Sequence, residues 1–190
     1  MTQWQVQLEA AFASFTNVAA FMQLHWSWPA VESVHFIGLT LLLGSIAAWD
    51  FRLLGLMRDV PVAAFHRLVP FAVLGFAINA TTGSLFVMTY PDQYVYNPAF
   101  HLKVLCLLLA GVNVLVFYLA IFRRLRRLAP GQPLPALARV SGGISLVLWI
   151  TVIVCGRMIT LFPAVVLSSG GGAGISRRLH CPVRTNARRR

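Results

Sequence analysis

Five residues carry most of the chemistry this sequence offers: Glu32, His35, His101, Lys103 and Arg157. Glu32 and His35 stand three residues apart, which on a helix puts a carboxylate and an imidazole on one face. An imidazole can bind a metal or pass a proton, and lysine or arginine can meet a ligand's carboxylate. Ionisable groups within an apolar span are expensive and by default face a protein interior. An iron porphyrin needs one or two axial ligands at one depth, usually histidine. His35 with His101 meets that condition. His35 with His66 does not, because the two lie near opposite ends of their spans. The candidate cofactor site is therefore Glu32, His35, His101, Lys103 and Arg157, with His35 and His101 as metal ligands and haem b as the cofactor.

Each residue also has a plainer reading. Glu32 with Arg157 or Lys103 can be an ion pair that holds spans together, and His35 can be a hydrogen-bonder between helices. Lys103 can snorkel to the interface, and His101 and His66 can be solvated there. Cys106 and Cys155 read as small core residues. Copper has a thinner case, with no HxxxH, no CxxC and no Met-rich cluster. Catalytic triads, phosphate loops and zinc motifs are absent, so no residue takes a catalytic role and enzymatic activity is left open.

The elements that must position these groups are long and apolar. Hydrophobic residues make up 58% of the chain and charged ones 11%, with mean hydropathy +0.73, far from a soluble composition. The pattern predicts an all-α integral membrane protein, a four-helix bundle with spans at about 29–54, 65–89, 99–122 and 139–167. Before it, residues 1–27 read as an amphipathic helix at the interface, with apolar Trp4, Leu8, Phe12, Phe15, Val18 and Met22 at three- and four-residue steps. That start has no basic n-region and does not read as a cleaved signal peptide. The transmembrane domain covers 28–167, and the glycine-rich, arginine-rich stretch 168–190 reads as a disordered basic tail.

The net charge of +11 suggests nucleic acid, but the arginines cluster between spans and in the tail. Arg52, Arg58, Arg123, Arg124, Arg126, Arg127 and Arg139 flank the 1–2 and 3–4 connections, while the N-terminal segment and the 90–98 connection have none. The positive-inside rule then puts the N-terminus outside an inner (plasma) membrane and the arginine connections in the cytoplasm. His35, His101, Lys103 and Arg157 fall in the outer half, and Lys103, Cys106, Ala110 and Asn113 form one stripe of span 3. The expected partners are the lipid bilayer and either a membrane redox partner or a second copy of the chain.

Several motifs carry a resemblance: Trp28-Pro-x-x-Glu32-Ser-x-His35-Phe-x-Gly38, Gly44, Asp50-x-Arg52-Leu-Leu-Gly55, Asn97-Pro-Ala-Phe-x-x-Lys103 and Gly156-Arg157. From about 28 to 160 the chain resembles a family of bacterial four-span inner-membrane proteins built around a domain of unknown function. It is more distantly similar to the copper-resistance D-type membrane proteins and to the haem-binding protoporphyrinogen oxidases of the HemJ type. In the oxidases a first-span His and a third-span Lys are the functional pair, which the resemblance carries to His35 and Lys103 alone. The glycine spacing after His35 differs, and Leu43 stands where those groups have an aromatic residue. The resemblance implies a haem- or porphyrin-binding redox component. The alternative is a non-enzymatic component, copper-related or a structural subunit of a larger complex.

Overall fold

The computed structural model describes residues 2–57, 59–125, 132 and 134–161, and these are helical almost throughout. The order is α1 (Gln3–Ala13), α2 (Thr16–Met22), α3 (Ser27–Leu54), α4 (Val62–Phe65), a 3-10 turn, α5 (Val69–Thr89), α6 (Pro91–Val95), α7 (Pro98–Val116), a π-helical turn (Phe117–Ile121), α8 (Phe122–Leu125) and α9 (Ala136–Leu161). Four helical stretches, Ser27–Leu54, His66–Thr89, Pro98–Ile121 and Ala136–Leu161, are long and apolar enough to cross a membrane. They match the four expected spans within a few residues. The expected end of span 4 (162–167) and the tail (168–190) lie outside the described residues. The single interfacial helix expected over 1–27 is two short helices, broken where Phe15 leaves the helical region at φ −81° and ψ 56°.

Local chemistry fixes the ends of the spans. Gly55 closes α3 in the left-handed region at φ 103°, with Leu56 N–H donating to Phe51 O at 3.0 Å and Gly55 N–H to Arg52 O at 3.2 Å. Asn97 caps α7 by accepting from Ala99 N–H at 2.9 Å, and Pro98 follows in the first turn. The bundle thus has a cap end, where α1, α2 and α6 gather over Ser27, Thr89 and Pro98. It also has a loop end, where α3 ends at Leu54, α8 follows the π-helical turn and α9 begins at Ala136.

Packing follows a chain of neighbours: α5 on α3, α3 on α9, and α9 on α7. The tightest join is α3 with α5. A Cβ on Gly75 would stand 2.6 Å from Leu42 N and 2.7 Å from Gly38 O, so the two backbones touch there. On the other seam, a Cβ on Gly142 would meet Leu53 Cβ at 2.9 Å and Asp50 O at 3.2 Å. Large apolar side chains cover the outside of the bundle, for example Ile37, Leu108, Leu119 and Val147, whereas Ser45, Asp50, Thr82, Ser141 and Ser145 are buried. That inversion of a soluble protein's pattern is what a lipid-facing bundle requires. Four helices of this length and composition suggest a multi-pass membrane protein.

Candidate functional site

The antiparallel α3–α5 pair sets His35. Gly38 lies against Ile78 and Asn79, and Gly75 against Leu42; one turn toward the cap end, the same register brings His35 to Thr82. His35 Nδ1 lies 2.6 Å from Thr82 Oγ1, and that oxygen lies 2.7 Å from Ile78 O. Thr82 has one hydroxyl proton and a carbonyl can only accept. Both bonds therefore form together when Thr82 donates to Ile78 and His35 Nδ1–H donates to Thr82. The assignment leaves Nε2 as the basic nitrogen, and it makes no hydrogen bond with a described residue. Phe86 packs edge-on to the imidazole at 5.5 Å, and Gly83 lies beside it, where a Cβ would be 3.9 Å from Cε1.

Lys103 reaches the same region from α7. Its Nζ lies 3.7 Å from where a Cβ on Gly156 would stand, so the ammonium rests on the α9 backbone. It is half-buried and within electrostatic reach of His35 and Cys155. No described carboxylate pairs with it. His35 is thus within electrostatic reach of Lys103, Lys103 of Cys155, and Cys155 of Cys106.

The other expected members lie elsewhere. His101 turns to the cap: its Nε2–H donates to Val95 O at 2.9 Å, and its ring packs against Trp4 at 5.9 Å. None of these partners is on α3, so the geometry offers no paired His35–His101 ligation. Glu32 and Arg157 are both exposed, and neither forms an ion pair with a described residue. His66 sits in an aromatic cluster at the loop end, stacked on Phe122 at 5.0 Å with Trp49 and Tyr118 at its edges. Among the described residues, no group of three or more His, Cys, Asp or Glu side chains could hold a metal ion.

The cap closes this end with one polar clasp. Tyr96 O–H donates to Glu9 Oε2 at 2.6 Å, tying α1 to the 90–98 connection. That bond, then burial and the charges of Glu9 and Asp92, raises the phenol of Tyr96 above its ordinary value. Tyr94 is pushed up to about 12, first by burial and then by the negative charge of Glu32.

A second polar layer lies toward the loop end, and sequence reasoning passed over most of it. Asn113 Nδ2 donates to Ser141 O and Ser141 Oγ–H to Asn113 Oδ1, both at 3.1 Å, joining α7 to α9. Asp50 faces Ser145 of α9 from α3, and its Oδ2 is buried without a hydrogen-bond partner among the described residues. One turn along α9, Trp149 Nε1 is also buried and unpartnered. The available signal was Asp50 itself: besides Glu32 it is the only acidic residue in the four spans.

Comparison with family models, with curated proteins and with solved structures finds no match.

Proposed function

We propose that this chain is an integral inner-membrane protein that binds haem b, or a closely related porphyrin, at the cap end. His35 would hold the iron and Lys103 would meet a propionate. The observation that carries this reading is the His35–Thr82 bond, 2.6 Å long, which orients the ring and leaves Nε2 basic within electrostatic reach of the Lys103 ammonium, with which no carboxylate among the described residues pairs. A hydrogen bond at the other ring nitrogen is how proteins fix the tautomer of a ligating histidine. His101 does not fit as a second ligand. Glu32 and Arg157, at the surface, belong to the rim rather than the site. Bound haem would supply one-electron chemistry, exchanged with a membrane redox partner or a second copy of the chain. The residues of this chain would orient the ligand, balance its carboxylate and keep water out. The arginine-poor cap end faces outward under the positive-inside rule.

A second reading is supported by the same geometry. His35–Thr82 joins α3 to α5 and Asn113–Ser141 joins α7 to α9, as interhelical bonds in a purely structural membrane component would.

The deciding experiment is an absorption spectrum of the detergent-purified protein, oxidised and dithionite-reduced, after expression with ample haem. The haem reading expects a Soret band that shifts on reduction, disappears in His35→Ala and persists in His101→Ala. A featureless visible spectrum from folded protein overturns it and leaves the structural reading.

A further inference from the structure

The chain-like packing of α5 on α3, α3 on α9 and α9 on α7 leaves one seam unclosed, between α5 and α7. A cavity of about 350 Å³ lies in that seam, over α3 and α9. Its mouth is lined by Val73 and Phe76 of α5 and by Gly111 and Val114 of α7, all exposed on the lipid-facing surface. The floor holds Asp50, Ser145 and Trp149. Asp50 is 3% exposed and Trp149 is 7% exposed, yet Asp50 Oδ2 and Trp149 Nε1 have no hydrogen-bond partner among the described residues.

Leaving such groups bare is costly, most of all for a charge. The cavity is therefore built for something that donates to Oδ2. One water occupies only about 30 Å³ of liquid and would leave most of this apolar volume empty. A bare metal ion suits it no better: it needs around six oxygens, whereas the walls are mainly apolar and aromatic, with one carboxylate. Aromatic faces around a carboxylate are the surroundings that hold an organic cation, through the ion pair and through cation–π contact. Trp49, Phe117, Tyr118 and Trp149 supply those faces.

We propose that the α5–α7 cavity binds a lipophilic amine in its protonated form, entering from the bilayer, with Asp50 as counter-ion to the ammonium group. The apolar body fills the seam, and the ammonium donates to Oδ2. This site is separate from His35 and does not depend on the haem reading.

The test uses the full chain in detergent with 1-naphthylmethylamine as probe and 1-naphthalenemethanol as its neutral isostere, followed by calorimetry. The amine is expected to bind at least tenfold tighter than the alcohol near neutral pH. Asp50→Asn is expected to remove that advantage while leaving alcohol binding within twofold. Equal affinities for amine and alcohol in the wild-type protein overturn the proposal and indicate a lipid-like occupant. Thermal stabilisation by sodium without amine binding also overturns it, in favour of a metal ion. The wild-type comparison stands even where Asp50→Asn does not fold.

Discussion

Gly75→Ala tests whether backbone contact between α3 and α5 positions the cap-end site. The added Cβ would stand 2.6 Å from Leu42 N, a backbone atom that no rotamer change can move. Restoring an ordinary contact of 3.4 Å requires the helices to part by 0.8 Å at this level. The same displacement carried to the next pairs would stretch His35–Thr82 from 2.6 Å to about 3.4 Å, past a useful hydrogen bond. Overpacking typically costs about 1–3 kcal/mol, and an interhelical bond in a membrane protein adds about 0.6. Against this, replacing a mid-helix glycine by alanine gains up to about 1 kcal/mol. Gly44→Ala is the internal control, because a Cβ there meets nothing within 4 Å and only the gain remains.

The expected gap between the two variants is therefore about 2 kcal/mol or more, read from reversible unfolding in mixed detergent–SDS micelles by far-ultraviolet circular dichroism. Thr82→Val, which removes the oxygen without moving the helices, should cost only about 0.6–1.7 kcal/mol. If Gly75→Ala and Gly44→Ala unfold within about 0.5 kcal/mol of each other, the ordinary scatter of surface substitutions, close backbone contact is not what sets the register.

Two further outcomes follow from the cap and the topology. Tyr96 must keep its proton to donate to Glu9, and its raised value means the clasp is complete below the ordinary phenol value of 10.0 and is lost as pH rises through the raised one. Phenolate absorbance at 295 nm should show late transitions from Tyr94 and Tyr96, of which the Tyr96 component is lost in Tyr96→Phe and moves toward the ordinary value in Glu9→Gln; an unchanged titration in Glu9→Gln would discount the bond as the cause. For orientation, exposed Asp92 and Asp59 mark the two ends of the bundle. In intact cells a membrane-impermeant maleimide should label Asp92→Cys and spare Asp59→Cys, and the reverse pattern would invert the topology.

The spans were legible because hydropathy and length act on each helix alone; the site depended on neighbours. Glu32 and Asp50 are eighteen residues apart, five whole turns of an α-helix, and so occupy one face of α3. A one-helix argument treats them alike. Yet Asp50 is buried where Gly142 of α9 presses on its backbone, whereas eighteen residues further toward the cap end the antiparallel α9 reaches its described end at Leu161. Glu32 is left exposed at that level, and the expected pairing with Arg157 is not made. His101 illustrates a different loss. Its depth matched His35, but depth says nothing about direction, and the Val95 carbonyl drew its ring into the cap. The break between α1 and α2 was hidden because Phe12, Phe15 and Val18 maintain helical spacing across it.

What joins the legible and the missed parts is an arrangement in layers. His35 and Lys103 lie toward the cap, and Asp50, Asn113, Ser141 and Ser145 lie toward the loops. Between them Leu42, Cys106, Ala110, Trp149 and Val152 pack into one apolar cluster. Apart from the Trp149 indole N–H and the Cys106 thiol the cluster is apolar, which leaves few polar atoms to hold a chain of water between the layers. A porphyrin at the cap end would therefore exchange protons chiefly with that side. A ligand in the α5–α7 seam, facing Trp149 from below, would act on the cap layer only by moving the packed cluster. Leu42, Ala110 and Trp149 belong to both the cluster and the cavity wall, which makes them the physical link between the two.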